Sequence, residues 1–242
     1  MLQGNLQFFI RIKIRNMKII QNALARGAGN LSEHESKQFL AKFGIPVTRE
    51  AAARSEREAL ARASEIGYPV VLKGSGEALR HKTDLNLIAL NLRDEESLRR
   101  AYRQLTKGPD IEVKEVLVQE MVEGDRELMV GLFRDPQFGP CVMFGLGGIF
   151  TEILEDIVFR VAPLTRKDAL EMLSEIKGKK VLEAIRGKPS VNRDAVVDIL
   201  MAISRIGNEH SQIREIDINP IKFVNGKPIV VDALVVFSAE TR

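Results

Sequence analysis

The residues best suited to chemistry gather in the final stretch, "IREIDINPIKFVNGKPIVVDALVVF", residues 213–237. Asn225-Gly226 is the strongest short hairpin signal, because both turn positions need positive φ. A two-residue loop pairs Val224 with Lys227, and every pair counted outward sums to the same number. Asn219 therefore falls opposite Asp232, with Cβ atoms about 4.5–5.5 Å apart. Glu215, Asp217 and Asn219 share one face by period-two alternation. Acidic groups and an amide converging on one patch suit Mg²⁺, which takes few protein carboxylates and completes its shell with phosphate oxygens and water. The plain alternative is a solvated face with scattered charges. Pro220 has no N–H for the ladder, so a bulge there could shift the register.

Other groups stand singly. Lys73 ends the run "YPVVLKG" and is either a phosphate contact or a snorkelling edge residue. The glycine run Gly145, Gly147 and Gly148 follows an apolar segment, where backbone N–H groups can approach an anion or simply make a turn. Arg160 alternates with Phe159 and Val161, so it faces away from them and needs an anion or a carboxylate partner. Gln119, Glu120 and Val122 end a strand-like run; such a segment can link two lobes and offer backbone groups to a purine, or be an ordinary strand end. His81, in "RHKTDLNLIAL", is one of three histidines. Read alone, it is an exposed loop residue. His34 and His210 read as structural.

Several elements must position these groups. Capping-box patterns at Ser32/Glu35, Ser55/Glu58 and Thr165/Asp168, with caps at Asp94 and Asn192, open the expected helices. Strands are expected at "YPVVLKG", "LIALNL", "EVLVQEMV", "RELMVGLFRD", "CVMFGLGGIF", "DIVFRVAPL" and in the closing hairpin. The order is mixed, so the fold class is α+β. "TKGPDIEVK" is the best boundary: an extension at 1–30, a first lobe at 31–112 and a second at 113–242. The start, "MLQGNLQFFIRIKIRNMKII", is interrupted by Arg11, Lys13 and Arg15 and does not read as a secretory signal. Met17 is a possible true start.

The bulk composition narrows the classes. With 242 residues the chain is long enough for one large domain or two lobes. A net charge of +3 with both signs interspersed gives no basic block for nucleic acid. A single cysteine, Cys141, allows no internal disulfide and fits a reducing, cytoplasmic setting. No run is long and apolar enough to span a bilayer.

Taken in order, "YPVVLKG", "HKTD", "GLGGIFTEILEDIVFRVAPL" and "EIDINPI…VVDA" resemble the ATP-grasp subunit of ADP-forming acetyl-CoA synthetases, or acetate–CoA ligases (ADP-forming). The match runs from about Leu31 to Phe237, and its last element is shared with succinyl-CoA synthetase β subunits. The resemblance implies an ATP-grasp fold whose two lobes grip ATP. It implies that Lys73, Glu127, Gly147 and Gly148 contact the nucleotide and that residues 119–122, with Gln119, Glu120 and Val122, form the adenine hinge. It implies Mg²⁺ ligands at Asn219 and Asp232 with Asp217 beside them, and Arg160 as a stabiliser of transferred phosphoryl charge. His81 matches a proposed second phosphohistidine, with Asp84 able to orient its ring. The CoA-binding part and the first phosphohistidine would belong to an α subunit, in an α₂β₂ assembly. Where many relatives carry a Gly-Gly pair, this chain has Asn86-Leu87. That departure keeps open a non-catalytic nucleotide-binding regulatory subunit, and a stand-alone ATP-grasp carboxylate–amine ligase is the other alternative.

Overall fold

The fold is that of a computed structural model, which describes residues 18–75, 87–106, 113–124, 126–148, 155–185 and 187–238. In chain order the elements are α1 (residues 18–25), α2 (Glu33–Ala41), β1 (Glu50–Ala53), α3 (Glu56–Ile66), β2 (Val70–Ser75), β3 (Ile88–Leu92), α4 (Glu95–Thr106), β4 (Glu115–Glu120), β5 (Leu128–Asp135), β6 (Gly139–Leu146), β7 (Ile157–Val161), α5 (Arg166–Glu175), a 3₁₀ turn (Lys179–Leu182), α6 (Arg193–Glu209), β8 (Ile213–Val224), β9 (Lys227–Val230) and β10 (Ala233–Phe237). They form two compact units. No helix among the described residues is long and apolar enough to cross a membrane.

The smaller unit comprises Ser32–His34 and Thr48–Val122. Its antiparallel sheet runs β1-β4-β2-β3. The Ser55 side chain caps α3 by accepting the Glu58 N–H, and Asp94 caps α4 through the Ser97 N–H. Leu98, Ala101 and Leu105 recur at helical spacing on α4 and meet Ala59 and Ala63 of α3 over Val70, Leu72, Val116 and Val118 of the sheet. The expected boundary after residue 112 is corrected here. β4 is an inner strand of this sheet, so the division falls after Val122.

Of the described residues, the larger unit comprises those up to Leu31, Glu35–Val47 and those from Glu123 onward. Its sheet runs β10-β8-β5-β6-β7, with β9 paired to the outer part of β8. α6 packs Val196, Leu200, Ile203 and Ile206 on one face of that sheet, against a core that includes Val130, Leu132, Val142 and Phe144. A complete capping box at Thr165 and Asp168 starts α5. Residues 18–30, read from sequence as an extension, take part in this unit: Ile20 and Ala23 of α1 are buried, and Asn30 bridges to Val236. Residues 1–17, including Met17, lie outside the described residues.

Candidate functional site

The closing hairpin has the register that its turn demands. Val224 pairs with Lys227 and Ile221 with Val230, and beyond the gap Ile218 pairs with Ala233 and Asp217 with Leu234. The Val231 N–H donates to the Pro220 carbonyl between them. The count is unbroken on both sides of Asn219 and Asp232, which therefore lie opposite each other.

Pro220 does not shift that pairing. It marks a different irregularity. Ile216 and Ile218 are core residues, and so is Ile221, so the inward face moves from even to odd numbers across Asn219-Pro220. The register with β5 shifts at the same place, whereas β9 and β10 change sides together with β8, from Val230 to Ala233, and keep theirs. Simple alternation from Asp217 would send Lys222 inward. The change of side instead puts Lys222 on the face that carries Asp217.

That face is strongly acidic at one corner. Burial, then Asp232, then Glu215 push the Asp217 carboxyl up to about 6. The Lys37 ammonium, almost fully buried on α2, donates to the Val231 carbonyl at 3.0 Å and fixes the backbone beside Asp232. Among the described residues no three His, Cys, Asp or Glu side chains cluster as a metal cage. The donor set here is carboxylate oxygens plus the Asn219 amide oxygen, which fits a cation that keeps ligands from water and phosphate.

The glycine turn joins this corner. The Gly148 N–H donates to Asn219 Oδ1 at 3.0 Å, and the Gly147 N–H donates to the Glu127 carbonyl at 2.8 Å. Both N–H groups that could have faced an anion are thus engaged. A Cβ on Gly147 would lie 2.7 Å from the Leu128 carbonyl oxygen, and one on Gly148, at φ +62°, would meet the Glu127 carboxylate. Glu127 also pairs with Lys222 at 3.2 Å, and Lys222 donates to the Gly124 carbonyl at 3.2 Å. So the structure brings together Asp217, Asn219, Asp232, Gly147, Gly148 and Glu127.

In the smaller unit, Lys73 is no edge residue. β2 lies inside the sheet, Lys73 is buried, and its ammonium pairs with Glu33 at 2.5 Å. A buried ammonium needs such a partner. Gln119 is buried in β4. The Glu120 carboxylate is held by the Arg49 N–H and Nε, both at 2.8 Å. The Glu120 N–H goes to the Arg49 carbonyl and the Met121 N–H to the Pro69 carbonyl; among the described residues the Val122 N–H has no backbone partner.

One expected residue stands apart. Arg160 shares a sheet row with Val142, Leu132 and Ile216, on the helix-covered face, and its guanidinium pairs with Glu175 of α5. Asp217 lies in the next row, with Gly131, Met143 and Phe159, on the other face. The structure therefore does not bring Arg160 to the acidic corner; its carboxylate partner is Glu175. His81 and Asp84 lie outside the described residues. His34 pairs with Glu50, and His210 is buried between the Phe39 and Phe43 rings.

Sequence reading missed Glu33, Lys222 and Asp156. Glu33 pairs with Lys73 from 40 residues away in the chain, so no local spacing marks it. Lys222 reaches Glu127 only because β8 changes sides, which alternation does not signal. Asp156 is buried, and its two oxygens accept the Lys177 and Gly178 N–H groups, each at 2.7 Å, a long-range contact without a local signal.

Residues 22–237 match the ATP-grasp domain family. The chain is 44% identical to the acetate–CoA ligase (ADP-forming) I subunit beta of Pyrococcus furiosus, over 89% of this chain and 95% of that protein. A structure of acetyl-coenzyme A synthetase 1 from Ca. Korarchaeum cryptofilum, with coenzyme A, Ca-AMPCP and HgCl⁺, superposes with a TM-score of 0.88 at 43% identity, covering 91% of this chain and 99% of that one. Another structure of that enzyme, with coenzyme A and Mg-AMPPCP and its phosphohistidine segment pointing towards the nucleotide binding site, gives 0.82 at 41% identity over 92% and 100% of the two chains.

Proposed function

The chain belongs to the ATP-grasp β subunits of the ADP-forming acetate–CoA ligases, and on that premise we propose that it carries the nucleotide half of their reaction. A phosphoryl group passes between a phosphohistidine and ADP, so that acyl-CoA, ADP and phosphate yield acid, CoA and ATP. An α subunit would bind CoA and carry the first phosphohistidine, in an α₂β₂ assembly. Drawing on ADP and CoA pools, the enzyme works in the cytoplasm in this reading.

The observation that carries the reading is the pairing of Asn219 opposite Asp232, with Asp217 pushed up to about 6 beside them. Like charges held together gain from a cation, and Asn219 and Asp232 are the residues that would hold Mg²⁺. When bound, Mg²⁺ supplies positive charge to the phosphate oxygens during transfer. Asn219 Oδ1 uses one lone pair on the Gly148 N–H and keeps a second for a ligand. Lys73 contacts phosphate, with Glu33 keeping its ammonium balanced and in place. The Val122 N–H offers a donor to the purine edge, beside Gln119 and Glu120. His81 accepts the phosphoryl group, since neutral imidazole has a nucleophilic nitrogen near pH 7. Arg160 as a stabiliser of phosphoryl charge would have to leave its Glu175 partner.

The test is co-purification with an α subunit, followed by an assay for ATP formation from acetyl-CoA, ADP and phosphate. Activity is expected only in the complex. Turnover by the chain alone would refute the two-subunit reading, and no β-dependent turnover would favour a regulatory subunit. His81→Ala is expected to abolish both turnover and acid-labile phosphorylation of the β chain; persistence of both removes His81 as carrier.

A further inference from the structure

We propose that Lys222 is a positioning residue for the metal and phosphate corner, acting through Glu127 and Gly148 on Asn219. The inference rests on the assignment of that corner to Mg²⁺ and nucleotide. It starts from four contacts. The Lys222 ammonium lies 3.2 Å from the Glu127 carboxylate and donates to the Gly124 carbonyl at 3.2 Å. Glu127 lies over Gly148, in the space that a Cβ would fill, and its carbonyl accepts the Gly147 N–H. Gly148 in turn holds Asn219 Oδ1. One ammonium thus ties the segment that follows Val122 to the glycine turn and to a metal ligand. Both charged side chains are partly buried, at 20% and 26% exposure.

Charge gives Lys222 a second task. The corner already holds Asp217, Asp232 and Glu215. A fourth carboxylate, Glu127, lies against the turn that borders the corner assigned to Mg²⁺ and nucleotide. Without Lys222 that carboxylate would repel the nucleotide and would be free to leave Gly148. The change of side at Asn219-Pro220 is what delivers Lys222 to this face, three residues after the metal ligand it serves.

The experiment is a double-mutant cycle in the complex with α. Lys222→Met is expected to raise the KM for ADP and the half-saturating Mg²⁺ concentration about tenfold, with kcat changed less than about threefold. Lys222→Arg should keep both near wild type. Lys222→Met combined with Glu127→Gln should recover most of the Lys222→Met loss and differ little from Glu127→Gln alone, because no unbalanced carboxylate remains. Mg²⁺-dependent ADP binding to the isolated chain, by calorimetry, should follow the same order. Additive losses in the cycle would overturn the route through Glu127. An unchanged Mg²⁺ dependence in folded Lys222→Met would overturn the positioning role. Should Lys222→Met fail to fold, the comparison of Lys222→Arg with the double variant still decides. Loss of ATP synthesis in the wild-type complex with intact, Lys222-dependent Mg·ADP binding would sink the reaction assigned above and leave this inference standing.

Discussion

Asp217 is surrounded by its own kind. Burial first, then Asp232 and Glu215, disfavour its charged form and raise it to about 6 from 3.8. A carboxyl whose folded value is raised adds stability that is fully present below its unfolded value and is lost as pH climbs through the folded one. Without divalent cation, thermal stability should therefore fall between about pH 4 and pH 7, and Asp217→Asn should flatten that slope and raise the Tm at pH 7.5. Added Mg²⁺ should stabilise the wild type more than the variant. Melting curves across pH, with and without Mg²⁺, check this; an Asp217→Asn protein that is less stable at pH 7.5 and keeps the slope would show that Asp217 is not the responsible group. At this scale the sequence was a good guide where partners lie near in the chain or across one tight turn, as for Asn219 and Asp232. Glu33 with Lys73, and Asp156 with Gly178, are pairs joined only by the fold, so no spacing rule could have found them.

At the scale of elements, the glycine turn shows how two neighbouring glycines differ. Gly147 faces the Leu128 carbonyl, which is backbone and cannot step aside, while Gly148 faces the end of the Glu127 side chain and has φ +62°. Gly147→Ala should therefore cost more stability than Gly148→Ala, whose positive φ costs roughly 1–2 kcal/mol. Gly148→Ala should instead act on ADP and Mg²⁺ affinity, by displacing Glu127. Urea melts beside ADP titrations separate the two effects, and the reverse order of stability would refute the assignment. Most helices and strands were legible because caps and periodicity are local signals: Thr165/Asp168 and Asn192 both cap as read. The break in alternation at Asn219-Pro220 was not legible. Its cause is the tertiary fit of β8 to β5, and a period-two count has no means of skipping a residue.

For the whole molecule, the two units have separate cores. Leu98 is at the centre of one and Phe144 of the other, and neither is exposed. Leu98→Ala should cost about 2–5 kcal/mol and Phe144→Ala about 3–5 kcal/mol. Hydrogen exchange should assign the first loss to β2 and β4 and the second to β5, β6 and β8. Equal loss of protection in both sheets after either change would show that they open as one. The fold class was readable from the order of elements. The division between units was not, because "TKGPDIEVK" looks like a linker although β4, which follows it, completes the sheet before it.

β8 changes sides without changing its partner hairpin. What the segment between Ile218 and Ile221 must supply is therefore a length before it is a composition. Losing or gaining one residue there would leave the flanking residues unaltered yet turn one end of the arm inside out, exchanging Lys222 for Ile221 across the sheet. Substitutions at Asn219 or Pro220 disturb a contact; a change in the count would disturb which surface the rest of the strand belongs to.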